Sequence, residues 1–251
     1  MSLPIRLSIV VPTYNERDNL APLARRIFAA VDPATSELLI VDDDSPDGTA
    51  ALAGELGEAL RAELSPPAAG HAPLRCIVRK AQRGLATAVI AGLREARGER
   101  IVVMDADLSH PPERIPDLVA ALDDPDVEMA IGSRFVAGGA VDLDWPLRRR
   151  LNSLMGRLLA RPLTPVRDMM AGFFCVRRAG LRLSELRPIG YKIALELIVR
   201  HGWRRVVEIP IAFADRAAGK TKLNLGEQMR YLRHLGRLYA LALSRALTGR
   251  R

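Results

Sequence analysis

The chain has 251 residues, 49% of them hydrophobic, and a formal charge of +8. That size accommodates one large α/β domain, and that composition excludes a disordered chain. Cys76 and Cys175 show no metal-ligand spacing, and no run of about 18 uncharged apolar residues is present to span a bilayer.

MSLPIR leads into the first apolar run without a small-residue cleavage site, so no secretory signal is expected. Leu7–Val11 predicts a strand that ends at Pro12 and opens into TYNERDNL. Asn15 and Asp18 are expected N-caps of a helix carrying Leu20, Leu23, Ile27 and Val31 at helical spacing. Leu38–Val41 predicts a second strand, broken by DDDSPDGT, where Pro fixes φ and Gly allows positive φ. A helix is expected over Thr49–Leu60, then a surface loop at Ser65–Pro73. Leu74–Val78 and Gly84–Ala96 predict the next strand and helix.

Ile101–Pro112, IVVMDADLSHPP, is the stretch richest in chemistry. Its apolar run has the composition of a strand buried on both faces and ends directly in Asp105 and Asp107. Open α/β sheets bind ligands at the carboxyl ends of their strands. Two carboxylates at i and i+2 there suit a hard cation, Mg²⁺ or Mn²⁺, that also binds phosphate oxygens. A solvated turn with a helix cap is the plainer alternative for this stretch taken alone. Ile115–Leu122 predicts a helix entered through Pro111 and Pro112, and Met129–Gly132 another strand, followed by the glycine-rich SRFVAGGAVDLDW.

Pro146–Arg161 is basic and leucine-rich, and Arg149 and Ser153, four apart, share a helical face. About half of its arginines are expected to be stems lying over apolar surface. AGFFCV and Val206–Ile211 read as strands and Tyr191–Val199 as a helix. Leu225–Leu247 predicts an amphipathic helix with Leu225, Met229, Leu232, Gly236, Tyr239, Leu243 and Leu247 in one stripe. Arg230, Arg233, His234, Arg237 and Arg245 take the other side, which suits either a membrane interface or packing on the domain. The alternation of strands and helices implies a doubly wound, mostly parallel sheet. It gathers PTYNE, DDDSPDGT, DADLSH and GSRF on one edge, the place for a nucleotide.

VPTYNERDNL, VDDDSPDGT, MDADLSHPPE, GSRFVAGG, WPLRRRLNS, AGFF, RPIGYKIALE and ADRAAGKTKL follow one another through residues 5–240. In that order they resemble the polyprenol-phosphate sugar synthases, nearest the dolichol-phosphate mannose synthases, within the inverting family 2 glycosyltransferases. The resemblance implies the A-type glycosyltransferase fold, a Rossmann-like, mostly parallel sheet flanked by helices. The catalytic domain would span residues 1–222, with residues 223–251 as a basic amphipathic helix at the membrane interface.

The resemblance also implies the site. Pro12, Tyr14, Glu16, Val41, Asp43 and Ala106 would contact the nucleotide sugar, expected to be GDP-mannose. Asp105 and Asp107 would bind donor and metal, with Ser109 standing where some relatives place a Gln metal contact. Arg134, Arg149, Ser153, Arg216 and Lys222 would hold the phosphate of a dolichyl or polyprenyl acceptor. Asp105, Asp107, Arg134 and Arg216 would be the catalytic set. The protein would work on the cytoplasmic face of a membrane as a peripheral enzyme, with room for a separate anchoring partner.

The chemistry of the residues supports that assignment. Sugar transfer from a nucleoside diphosphate needs its leaving group's growing charge stabilised, which a cation on Asp105 and Asp107 and nearby arginines supply. An acceptor phosphate is already ionised, so no general base is required, unlike a hydroxyl acceptor. Direct displacement would convert an α-linked donor into a β-linked product.

Other readings fit less well. Gly219–Thr221 resembles the tail of a P-loop, but the opening glycine position is Ala214. No G-x-G-x-x-G follows the first strand, which excludes a dinucleotide-binding oxidoreductase. Few aromatics and no recognisable motif argue against nucleic-acid binding. The alternatives kept are transfer of glucose or another sugar to undecaprenyl phosphate, and a catalytically dead homologue serving as a scaffold.

Overall fold

The computed structural model describes residues 4–64, 71–141, 147–213 and 225–248. The first half alternates β1 (Leu7–Thr13), α1 (Arg17–Ala30), β2 (Ser36–Asp42), α2 (Thr49–Leu64), β3 (Leu74–Val78) and α3 (Leu85–Glu95). Next come β4 (Arg100–Val103), α4 (Ile115–Ala121), β5 (Met129–Ser133), the two-residue β6 (Ala140–Val141) and α5 (Leu147–Ala160). The chain continues through β7 (Phe174–Arg177), α6 (Ile193–His201), β8 (Val206–Pro210), β9 (Ala212–Phe213) and α7 (Leu225–Thr248).

The main sheet has seven strands in the order β3-β2-β1-β4-β7-β5-β8. β1, β2, β3 and β4 are parallel neighbours, as are β5 and β8. β7 runs antiparallel to both β4 and β5 and separates them. The expected mostly parallel sheet is therefore present, with one reversed strand inside it. That reversal brings the chain before β7 to the same edge at which β1, β2, β4 and β5 end.

Strand side chains alternate between the two faces, and both faces are covered. Ile9, Val11, Leu38, Ile40 and Val102 pack against Leu20, Leu23 and Ile27 of α1 and Ile115 and Leu118 of α4. Val10, Leu39, Val41, Ile101 and Val103 pack on the opposite face with Val89 and Leu93 of α3, Leu195 of α6 and Leu235 and Leu238 of α7. Burial on both sides explains why the strands read as unbroken apolar runs.

One sequence expectation, the cap of α1, is corrected in detail. Glu16, not Asn15 or Asp18, precedes the first helical residue of α1, and no side-chain cap bond forms there. Asn15 instead takes a positive φ of 59° while its N–H donates to Ser45 Oγ, tying the β1 loop to the β2 loop. The apolar stripe of α7 faces outward, one of the two placements its sequence left open. Met229, Leu232, Tyr239, Leu243 and Leu247 are 38–80% exposed, whereas His234, Leu235 and Leu238 are buried.

α7 is an integral part of the domain. His234 Nε2 lies 2.7 Å from Glu196 Oε2 on α6. Glu196 also accepts from Arg187 N–H and from Arg200. Burial works against the Glu196 charge, and the hydrogen bonds from His234, Arg187 and Arg200 outweigh it, holding its pKa below the usual range. Arg245 donates to the carbonyls of Val199 and Arg200, satisfying the open end of α6. Tyr231 and Tyr239 donate to the Gly156 and Leu159 carbonyls of α5, so α5 and α7 lie side by side.

Candidate active site

The loops after β1, β2 and β4 each contain one non-glycine residue at positive φ: Asn15, Asp44 and Leu108. Such backbone is costly outside glycine and collects where a site over-determines it. The Leu108 turn sets Ser109 behind Asp107: Ser109 Oγ and N–H donate to Asp107 Oδ1 at 2.5 and 3.1 Å. Ser109 itself is buried, so its visible task is to orient that carboxylate.

Asp105 is the more open acid, with 30% of its side chain exposed. It lies over Gly172, where an added Cβ would come within 3.1 and 3.2 Å of its two oxygens. Glycine before β7 thus leaves the space that the carboxylate fills. The Asp105 N–H donates to His110 Nδ1 at 3.1 Å, which makes Nδ1 an acceptor. His110 is stacked on Phe173 and set edge-on to Phe213. Burial lowers its pKa more than Asp105 and Asp107 raise it, so the ring is neutral and serves as a brace.

Two carboxylates on one turn, one of them accessible and one rigidly oriented, fit a hard divalent ion that completes its shell with phosphate and water oxygens. No group of three or more His, Cys, Asp or Glu suited to a metal is found among the described residues.

Arg134, just beyond β5, meets this centre from the other side. Its Nε and Nη2 each donate to Asp168 at 2.8 Å in a two-bond fork, and its own N–H donates to Asp168 at 3.1 Å. Asp168 is fully buried, and Glu208 of β8 accepts from its N–H, from that of Arg167 and from Ser133 Oγ. A chain of acids therefore fixes Arg134: Glu208 holds the Asp168 backbone, and Asp168 holds the guanidinium. Lys192, at the start of α6, feels the charges of Arg134, Asp168 and Asp105. Burial, with Arg134 adding to it, pushes its pKa down to about 7.

The donor residues named from the sequence divide into two groups. Tyr14 is exposed beneath Arg83, whose guanidinium carbon is 5.1 Å from the ring centroid. Glu16 accepts from Asn19 Nδ2 at 2.8 Å and faces partly outward. Pro12 is buried near the end of β1, and Ala106 is buried in the turn that follows β4. Val41, near the end of β2, is 0% exposed and packed in the core beside Gly92. Asp43 is nearly buried and already accepts from Arg79 Nη1 at 2.7 Å and Gly84 N–H at 2.6 Å. It clips the loop after β3 to the loop after β2.

On the acceptor side Ser153 stands on α5, while Arg216 and Lys222 lie outside the described residues, as does the side chain of Arg149. Sequence reasoning passed over Asp168, Glu208, His110, Gly172, Arg79 and Lys192. Asp168 and Lys192 fell within motifs already quoted or adjacent to them, but their partners are far away in the chain.

The chain is similar to known proteins over most of its length. The model of "Glycosyl transferase family 2" matches residues 8–182. The dolichol-phosphate mannosyltransferase of Pyrococcus furiosus is 41% identical over 238 residues, covering 93% of this chain and 64% of that protein. That of Saccharomyces cerevisiae is 38% identical over 248 residues, covering 94% of this chain and 88% of its own length. The polyprenol monophosphomannose synthase of Mycolicibacterium smegmatis is 37% identical over 230 residues, covering 87% and 81%. Among solved structures, a mannosyltransferase from Pyrobaculum calidifontis in complex with GDP-Man and Mn²⁺ superposes with a TM-score of 0.65 at 21% identity. It covers 97% of this chain and 67% of its own, and the likeness extends to the fold. The sheet and its reversed strand are thus those of the A-type glycosyltransferase fold, and the chain belongs to glycosyl transferase family 2.

Proposed function

We propose that this protein transfers mannose from GDP-mannose to a dolichyl or polyprenyl phosphate, giving a β-linked polyprenyl-phosphate mannose. The observation that carries the reading is the meeting of two kinds of group at one sheet edge. Asp105 and Asp107 are arranged for a cation and diphosphate, and Arg134 is held for a second anion. The names of the relatives, dolichol-phosphate mannosyltransferase and polyprenol monophosphomannose synthase, supply the sugar and the acceptor class.

When bound, Mg²⁺ or Mn²⁺ at Asp105 and Asp107 supplies Lewis-acid stabilisation of the charge gathering on the leaving diphosphate. Ser109 keeps Asp107 aimed, and Gly172 keeps the Asp105 carboxylate in place. Arg134, its fork fixed by Asp168, orients the acceptor phosphate, whose oxygen attacks the anomeric carbon opposite the departing diphosphate. One carbon–oxygen bond forms as another breaks, which inverts the centre. The acceptor is already an anion at neutral pH, so a neutral, buried His110 need not remove a proton.

α5 and α7 turn apolar side chains outward together: Leu151, Leu154, Met155 and Leu158 beside Met229, Leu232, Leu243 and Leu247. No described helix is long and apolar enough to cross a membrane. A broad exposed apolar face flanked by Arg233 and Arg237 suits lying on an anionic bilayer, where a polyprenyl acceptor resides. We place the protein on the cytoplasmic face. Sedimentation with anionic liposomes should weaken in a Leu158→Glu/Leu243→Glu variant; equal binding would remove this part of the reading.

The test of the activity is a panel of labelled nucleotide sugars with polyprenyl phosphate and Mn²⁺ or Mg²⁺. GDP-mannose should give the most organic-extractable sugar. A glucose donor giving more would transfer the assignment to a glucosyl enzyme, and no lipid-linked product from any donor would refute it.

A further inference from the structure

The acceptor side of the site contains a cation that the proposed mechanism leaves without a task. Arg157 lies on α5 one turn beyond Ser153, so the two share a helix face. Its guanidinium carbon sits 3.7 Å from the centroid of the Phe135 ring. Arg134 approaches the same ring at 5.4 Å and the Phe213 ring at 5.0 Å. Phe135 is thus a platform shared by two arginines that come from different elements.

The two arginines differ in their counter-charges. Arg134 is bound into the Asp168 fork. Arg157 makes no ion pair with any described residue, and its Nε is buried without a hydrogen-bond partner. Burial is the largest influence on its pKa and lowers it; Asp168 opposes that and Arg134 adds to it. A guanidinium stays charged through such a shift. An arginine stem laid over apolar surface ordinarily leaves its head in water. Here the head is partly withdrawn, beside another cation, with a donor unused. Lys192, the third cation of this group, likewise lacks an ion-pair partner among the described residues. A buried donor without a partner calls for an explanation, and a bound anion is one that supplies the missing acceptor.

We propose that Arg157, braced on Phe135, is a further binding arginine for the acceptor's phosphate monoester, gripping it alongside Arg134. This rests on the reading that the acceptor is a prenyl phosphate. Stacking fixes the guanidinium plane in advance, so less side-chain freedom is lost when the phosphate arrives. Asp168 offsets only one of the two arginine charges, and a bound phosphate supplies the remaining counter-charge.

The experiment is calorimetric titration of the full chain with a ten-carbon prenyl monophosphate, with inorganic phosphate, and with GDP plus Mn²⁺. Wild type is compared with Arg157→Gln, Arg157→Lys and Phe135→Leu. Loss of one charged hydrogen bond corresponds to roughly tenfold or more in Kd. Arg157→Gln should weaken prenyl phosphate by that factor while the GDP·Mn²⁺ Kd stays within about twofold. Arg157→Lys should recover part of the loss, and Phe135→Leu should fall between, because the arginine remains without its brace. Weakening with inorganic phosphate in the same ratio assigns the contact to the phosphate group; weakening with prenyl phosphate alone assigns it to the lipid-linked ester.

Unchanged prenyl-phosphate binding in a folded Arg157→Gln protein overturns the proposal. So does an equal loss of GDP, which would make Arg157 a donor or packing residue. The underlying reading fails separately. A wild type that makes no lipid-linked sugar yet binds prenyl phosphate through Arg157 contradicts only the assigned reaction. Normal product formation at an unchanged acceptor KM in Arg157→Gln contradicts only the role given to Arg157.

Discussion

Replacing Asp168 with alanine isolates the device that holds Arg134. The wild-type carboxylate is fully buried and accepts two side-chain bonds at 2.8 Å and one backbone bond at 3.1 Å from Arg134. Its partner is only 14% exposed, so water cannot take over the guanidinium once the acid is gone. Breaking a buried pair from one side costs about 3–5 kcal/mol, chiefly because a charge is left uncompensated. Arg157 and Lys192 nearby add repulsion that Asp168 now offsets. Against a domain stability of roughly 5–15 kcal/mol the variant should still fold. At ~2–4 °C per kcal/mol for a chain of this size, Tm should fall by about 6–20 °C. Urea unfolding with a double-mutant cycle provides the check. Asp168→Ala and Arg134→Met together should cost less than the sum of the two, because the second change removes the stranded charge. The acceptor KM should rise with Asp168→Ala while the donor KM moves little. A stability loss under about 1 kcal/mol, or costs that simply add, would refute the view that Asp168 is the essential support of Arg134.

Ser109→Ala removes the hydroxyl that donates to Asp107 at 2.5 Å, and the metal concentration for half-maximal turnover should rise by about 10–100-fold. If metal dependence is unchanged, Ser109 does not orient that carboxylate. Gly172→Ala puts a methyl within 3.1 Å of an Asp105 oxygen, so turnover and metal affinity should fall together while the fold survives. Wild-type metal dependence there would remove Asp105 from the metal site. Lys192→Met tests a pH dependence whose sign is fixed: the folded group loses its proton near 7, below its ordinary 10.5. Between those values unfolding takes up a proton, so wild-type stability rises with pH and the variant lacks that rise. Urea midpoints near pH 7 and near pH 10 measure it, and parallel behaviour of the two proteins would rule out a depressed lysine.

The parts legible in sequence are those with local signatures. Runs such as Leu7–Val11 and Leu38–Val41 announced strands because both sheet faces are covered. Asp105 and Asp107 were conspicuous because two acids abruptly end an apolar run. The direction of β7 was not legible, since Phe174–Arg177 would have the same buried composition running either way. The stripe of α7 was legible as apolar, but the sequence left open whether it faces a membrane interface or packs on the domain. Deciding that required the positions of Glu196 and the α5 carbonyls, which capture His234, Tyr231 and Tyr239. The same holds within the site. Arg134 and Asp168 are 34 residues apart and Ser133 and Glu208 75, distances at which no periodicity or turn chemistry leaves a trace. Val41 shows the converse, a residue singled out by its motif position whose complete burial could not be read from the sequence.

The account's central claim is inverting transfer to a lipid phosphate at the Asp105–Asp107 centre. Its most direct test is one reaction containing anomerically ¹³C-labelled GDP-mannose, polyprenyl phosphate and Mn²⁺, followed by NMR of the lipid extract. A β-linked mannosyl phosphate that disappears with chelator and in Asp107→Ala is the expected result. An α-linked product, or equal product without a divalent ion, would contradict it.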